Sequence, residues 1–340
     1  MVLAVTMGDP AGIGGELTLA AWLRRDQIDV PAFVALDDPS RLASLAEKLG
    51  WTVPLRVVET AEEARDCFGD ALPVLPVALA TDAVPGQADP RNAPAVIASI
   101  DRAVAMAMDG QVEGLVTQPI HKATLYGSGF AFPGHTEYLA HLTKAAEPSI
   151  MMLAGAGLRV VPLTIHEALS SAIARLDGAM IETMAHRVAG ALTQDFGIAA
   201  PRLALAGLNP HAGEDGALGD EEVRFIRPAA ERLRAAGLNI SGPHAPDSMF
   251  HAAARANYDA ALCLYHDQAL IPLKTLAFDE GVNITLGLSI VRTSPDHGTA
   301  FDIAGKGVAN PASFIAALRE AQMIAGLRGA QTHKSRRAGR

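Results

Sequence analysis

Short apolar runs, many of them β-branched, alternate along the chain with longer stretches whose apolar residues recur at helical spacing. That alternation predicts a βαβ plan, an α/β fold with a mainly parallel sheet. Residues 3–7 read as a first strand, followed by the loop GDPAGIGG and a helix over about 16–25. Residues 32–36 read as the next strand. Ala95, Ile97, Ile100, Val104 and Met108 mark the inner face of a helix, and 114–117 form a buried strand leading into the loop TQPIHK. Later strands are expected at 158–165, ending at His166, at 202–208, delivering Asn209 and His211, and at 260–265, delivering His266. Helices are expected over 181–192 and 314–324. The segment 72–90, with four prolines, reads as a loop or lobe connection. Polar residues at the C-terminal ends of parallel strands are where open α/β sheets place ligands.

With 340 residues, 49% of them hydrophobic and 19% charged, the chain can form two α/β lobes or one large domain. A net charge of −9 argues against a general nucleic-acid binder, which needs a basic face. The one basic run is the tail HKSRRAGR, so 331–340 are expected to form a disordered tail. Cys67 and Cys263 lie far apart in apolar surroundings and read as reduced thiols. The start MVLAVTMGDP has no basic leader, and no apolar segment is long enough for a bilayer, so a cytoplasmic protein with no membrane partner is expected.

The dinucleotide pattern G-x-G-x-x-G is approached by GIGGEL, GAGLRV and GKGVAN, but each lacks the third glycine; a phosphate-binding GxxxxGK[ST] loop and a GxSxG elbow are absent too. Among eleven histidines, His166, His211 and His266 each follow an apolar strand closely. One histidine there is an ordinary polar cap; three could form a metal site, and nitrogen-rich ligation suits a zinc-like or cobalt-like ion with open positions for an anionic chelating substrate. In GHTEYL, His135 and Thr136 sit just before a helix, as a cap or an anion site. Lys274 and Arg292 lie in largely apolar stretches, where a cation requires an acidic partner or an anionic ligand. Asp247 and Asp267 are candidate general bases or merely caps and ion-pair partners. The stretch 265–311 concentrates these types: His266, Asp267, Lys274, Asn283, Arg292 and a polar Gly-rich loop over 297–307. It suggests a pocket for a small phosphorylated, metal-chelated substrate beside a nucleotide.

GDPAGIG (8–14), PGHTE (133–137), GLNPHAGEDG (207–216), YHDQALIPLK (265–274), VNITLGL (282–288) and RTSPDHGTAFDIAGKG (292–307) together resemble the motif set of the 4-hydroxythreonine-4-phosphate dehydrogenase (PdxA) family, in order from residue 8 to about 325. HGTAFDIAGKGVANP also resembles the adenosine-side loop of isocitrate and isopropylmalate dehydrogenases, which explains how a nicotinamide enzyme can lack the usual glycines. The resemblance implies an isocitrate/isopropylmalate dehydrogenase-like fold, two α/β/α lobes with a cleft between them. The expected division is 1–130 with 275–330 as the nucleotide-side lobe and 131–274 as the metal, substrate and dimerisation lobe. It implies a homodimer with active sites at the interface, and a metal (zinc, magnesium or cobalt) held by His166, His211 and His266 drawn from both subunits. Substrate contacts carry over to His135, Thr136, Lys274, Asn283 and Arg292, and NAD or NADP contacts to His297, Gly298, Asp302 and Gly305. Two positions depart from the family: Gly15 and Ser289 stand where proline is usual.

The implied reaction is metal-dependent oxidation of 4-phosphonooxy-L-threonine at C3 with loss of carbon dioxide, giving 3-amino-2-oxopropyl phosphate for vitamin B6 synthesis. Asp247 or Asp267 would take the hydroxyl proton. Rival readings are a dehydrogenase of a phosphorylated four-carbon sugar acid (threonate or erythronate 4-phosphate), an acyl-phosphate transferase of related fold, and a non-catalytic metal- and phosphate-binding protein.

Overall fold

A computed structural model describes the backbone of residues 1–338 and the side chains of residues 1–331. The strands are β1 (Leu3–Thr6), β2 (Phe33–Asp37), β3 (Leu55–Val57), β4 (Leu72–Pro76), β5 (Leu115–Val116), β6 (Ile150–Gly155), β7 (Leu158–Pro162), β8 (Arg202–Ala206), β9 (Asn239–His244), β10 (Ala260–Cys263), β11 (Val282–Leu286) and β12 (Arg292–Pro295). The helices are α1 (Gly14–Leu23), α2 (Pro39–Leu49), α3 (Ala61–Cys67), α4 (Ala93–Met108), α5 (Lys122–Tyr126), α6 (His135–Leu142), α7 (Leu169–Arg175), α8 (Gly178–Phe196), α9 (Arg227–Ala235), α10 (Ala252–Arg255), α11 (His266–Ala277) and α12 (Ala312–Ala338). The strands and helices anticipated from periodicity are present, displaced by a few residues at their ends, except that the helix expected over 314–324 runs on to Ala338. Of the expected disordered tail, 331–340, the backbone of 331–338 continues α12, and 339–340 lie outside the described residues. No helix among the described residues is long and apolar enough to cross a membrane.

The chain divides into two compact units, Met1–Ser149 with Val282–Gly326, and Ile150–Gly281 with Leu327–Arg340. Residues 131–149 thus count with the first unit, whereas the sequence reading put the boundary at 130/131. The reason is packing: the Tyr138 ring on α6 meets Phe130 edge-on at 4.9 Å, and its hydroxyl donates to Asp101 of α4.

In the first unit the strand order is β3-β4-β2-β1-β5-β12-β11. All neighbours run parallel except β11 against β12. Strands buried on both faces are apolar throughout, as LAVT and FVALD are. β4 corrects the reading of 72–90 as loop. Leu72, Val74 and Leu75 are fully buried, and the ladder takes its N–H donors from Leu72 and Val77 rather than from the prolines. The second unit has the order β6-β7-β10-β8-β9, with β7, β10, β8 and β9 mutually parallel and β6 antiparallel to β7. A parallel set delivers all its C-terminal ends to one edge, so the loops after β7, β10, β8 and β9 share that edge.

The turn GDPAGIG leaves β1 through Gly8 at φ +65°, and the Asp9 amide donates to the Pro119 carbonyl at 2.8 Å. Asp9 is buried, its carboxylate accepts from the Ala11 amide at 2.9 Å, and burial raises its pKa. Gly15 has a local reason: a β-carbon there would lie 2.8 Å from a terminal nitrogen of Arg41. Arg41 is buried, paired with Asp37 at 2.6 Å and donating to the Pro10 carbonyl at 3.1 Å. Ser289 is exposed, its hydroxyl 3.3 Å from the Met108 sulfur. A β-carbon on Gly8 would lie 2.7 Å from both the Pro119 oxygen and the Gln118 β-carbon. Gly8→Ala is therefore expected to cost about 2–4 kcal/mol, left-handed strain added to overpacking, read as a lowered denaturant midpoint with the parent's secondary structure retained.

Candidate active site

In the second unit three adjacent parallel strands, β7, β10 and β8, each run into a loop carrying a histidine: His166, His266 and His211. His166 and His266 lie together, ring centroids 5.7 Å apart, in a pocket of about 520 Å³ lined also by Thr164, Glu167, Tyr265 and Asp267. His266 opens α11, and its Nδ1 is 2.7 Å from Asp267 Oδ1. A carboxylate on one ring nitrogen fixes the imidazole and leaves the other, Nε2, for an electrophile. His211 is exposed and does not line this pocket; its Nδ1 is 3.8 Å from Glu214. Among the described residues no three His, Cys, Asp or Glu side chains of one chain converge as a metal cluster. The structure thus joins two of the three expected ligands.

Buried side chains brace these loops in ways that the sequence reading missed. The Thr164 hydroxyl, two residues before His166, donates to the Leu264 carbonyl at 2.9 Å. The Leu264 amide, two residues before His266, donates to Gln268 Oε1 at 2.7 Å, and Gln268 Nε2 donates to the Gly207 carbonyl at 2.8 Å, where the His211 loop begins. The residues 211–215 all have positive φ, from 41° to 79°. Four of the five are not glycine, at roughly 1–2 kcal/mol each. Asp247 is exposed on the turn Pro246–Ser248 that follows β9 and contacts the 210–216 turn. Lys274 is half-buried on α11, its Nζ 5.7 Å from the Phe278 ring centre.

The first unit holds a different chemistry. Arg292 is 4% exposed, and its guanidinium donates to two hydroxyl oxygens, Thr117 Oγ1 (2.6 and 3.1 Å) and Thr285 Oγ1 (2.7 Å). Burial lowers its pKa to about 10, so it stays charged at neutral pH. A buried cation held by neutral hydroxyls keeps its charge for an anionic ligand. His135 and Thr136 open α6 after the N-cap Gly134, which offers no side-chain cap, so they stand at the positive end of the helix dipole. His135 Nε2 is shut from solvent without a partner. Burial, then the charges of Arg292 and Lys122, holds its pKa well below the ordinary 6.5. Asn283, at the paired start of β11, likewise has a buried, unpartnered Oδ1.

The loop after β12 contains His297, Gly298, Asp302 and Gly305. Buried Glu16, unremarked in the sequence, pins it: its carboxylate accepts from the Gly305 and Ala309 amides at 3.0 and 3.1 Å, while the Thr299 carbonyl accepts from the Ile13 amide at 3.0 Å. Charge-assisted bonds of this kind contribute about 1.5–3 kcal/mol each. The signal available was an acidic residue in the first turn of an otherwise apolar helix, GGELTLAAWL.

The His135 geometry carries a sign. The folded state keeps the ring neutral while the unfolded chain takes up a proton below about pH 6.5, so this residue's share of stability is lost as pH falls through that value. His135→Gln should therefore show a shallower fall of Tm with acidification than the parent; parallel Tm–pH curves would refute the buried neutral imidazole.

Residues 29–321 match the family model described as pyridoxal phosphate biosynthetic protein PdxA. The 4-hydroxythreonine-4-phosphate dehydrogenase of Maricaulis maris is 54% identical over 331 residues, covering 95% of this chain and 97% of the relative. That of Caulobacter vibrioides is 53% identical over 332 residues, covering 96% and 98%. The crystal structure of the enzyme from Klebsiella pneumoniae superposes with a TM-score of 0.85 at 37% identity, covering 95% and 98%. By sequence and by fold, the chain belongs to the PdxA family of pyridoxal phosphate biosynthetic proteins.

Proposed function

We propose that the protein oxidises 4-hydroxy-L-threonine 4-phosphate at C3 with a nicotinamide cofactor and releases carbon dioxide, forming 3-amino-2-oxopropyl phosphate. The observation that carries this is the buried Arg292 guanidinium held by two hydroxyls, beside neutral His135 and an uncapped helix start. That group suits a phosphate dianion, with Thr136, Asn283 and Lys274 as further contacts. Neutral His135 would donate one N–H to it without adding charge.

Three imidazoles at neighbouring strand ends fit a divalent ion, and the His266–Asp267 pair has the orientation such a ligand requires. His166, His211 and His266 would hold zinc, cobalt or magnesium, which supplies Lewis-acid polarisation of the hydroxyl and later of the ketone. Asp267 is engaged with His266, which assigns it to orientation. Asp247 would then accept the C3 hydroxyl proton, and a bound nicotinamide would supply the hydride acceptor for C3. Once C3 is a ketone the carboxylate is β to it, and carbon dioxide departs with the bonding electrons left on C2, to be quenched by a proton. Glu16 stiffens the 297–307 loop, whose His297, Gly298, Asp302 and Gly305 receive the adenosine side of NAD or NADP.

Leu169 and Ile173 on α7, and Ile271, Leu276 and Phe278 on or just after α11, are exposed apolar residues on the elements that follow His166 and His266. They favour a homodimer in which a second copy covers them. Two buried, unpaired cysteines suit the reducing cytoplasm.

The deciding experiment follows NADH and NADPH formation with 4-hydroxy-L-threonine 4-phosphate, with and without a chelator. Turnover that the chelator abolishes and added zinc or cobalt restores is expected; no reduction of either cofactor would sink the reading. Arg292→Ala should reduce kcat/KM by about 10²–10³-fold, since it removes a buried charge-assisted contact. It should change kcat/KM far less for a dephosphorylated substrate.

A further inference from the structure

Glu222 has no part in the reaction as described, yet it is a fully buried carboxylate at 0% exposure. It opens the π-helical turn Glu222–Ile226, a local winding that recurs at functional sites. Its Oε1 accepts from the amides of Leu208 and Asn209 at 2.7 and 2.8 Å, and its Oε2 accepts from the Asn209 side-chain amide at 2.8 Å. That same amide nitrogen also donates to Glu221 at 2.7 Å. The carboxylate fills the space inside the next turn too: a β-carbon on Gly213 would lie 2.6 Å from its Oε2. The chain leaves this clamp through Pro210 into His211, the first of five left-handed residues. Backbone of that kind persists only where its surroundings over-determine it.

We infer that Glu222, acting through Asn209, is a positioning residue that holds the 211–215 turn left-handed and so sets where the His211 imidazole is presented. This rests on the reading of His211 as a metal ligand. His166 and His266 are braced by Thr164 and Gln268, whereas His211 stands exposed on a strained turn whose two sides, Asn209 and Gly213, meet the buried Glu222. Without the clamp the turn relaxes toward right-handed backbone, and the ring moves although its own chemistry is intact.

The test uses the full-length protein, cobalt(II) alone as probe and a competing chelator to read affinity, with Tm recorded for every variant. Glu222→Gln keeps an acceptor for the two backbone amides but turns an N–H toward the Asn209 side chain. It should fold and bind cobalt about 10–100-fold more weakly, the usual effect of losing a ligand's support. Glu222→Ala should lose at least as much, and if it fails to fold, Glu222→Gln decides. The double variant Glu222→Gln/His211→Ala should bind no more weakly than His211→Ala alone, because the clamp acts only through that ring. Parent-like affinity in Glu222→Gln, or a loss that adds in full to that of His211→Ala, overturns the inference and leaves Glu222 a stability element only. Parent-like binding by His211→Ala itself overturns the metal reading, and with it this role.

Discussion

Where a parallel sheet ends, its backbone still has to be hydrogen-bonded. Within each unit the parallel strands stop together at an edge, and the amides and carbonyls just beyond them lose their ladder partners while remaining inside the protein. In this chain, side chains take over: Glu16 for the loop after β12, Gln268 and Thr164 for the loops after β10 and β7, and Glu222 for the loop after β8. Each is buried and each spans two segments. In each unit the strand ends that must be sealed by side chains also present ligand-type residues, so support and chemistry are interleaved within a few positions: Gln268 follows His266 and Asp267 directly.

Much of this was legible in the sequence. Strands such as LAVT and AALC are apolar because both faces are covered, and the three histidines stood out because each closes such a run. What periodicity could not show is pairing at a distance. Glu16 and Gly305 are 289 residues apart, and Gln268 and Gly207 are 61 apart. A buried Glu and a surface Glu look alike in a row of letters; only the fold shows which one has two amides aimed at it. Prolines misled in the opposite direction. Pro73 and Pro76 made 72–90 look like a loop, yet the ladder uses the amides of Leu72 and Val77 and leaves the prolines where no donor is needed.

The family match and the residue-level reading support one another without being the same argument. The match covers the chain nearly end to end and carries the family with it. The residue-level reading explains why particular side chains suit the chemistry, and it also divides roles that the sequence left together. Asp247 and Asp267 are equal candidates as bases in the sequence, and the 2.7 Å contact of Asp267 with His266 is what favours Asp247 in the proposed mechanism. Gly15, a departure from the family pattern, has its account in the space it leaves for Arg41.

As the proposed phosphate contact, Arg292 has a consequence for how an acidic protein captures an anion. With a net charge of −9, the molecule as a whole repels a phosphorylated acid at long range. The attraction proposed for it is local, a guanidinium at 4% exposure whose field is little screened by mobile ions. Selection then happens at short range. A group entering the site must shed its hydration against fixed hydroxyls and a buried charge, so shape and protonation state are read at the moment of contact rather than during approach. Added salt would soften the long-range repulsion while leaving that recognition nearly intact, and encounter and discrimination become separate properties of the same protein.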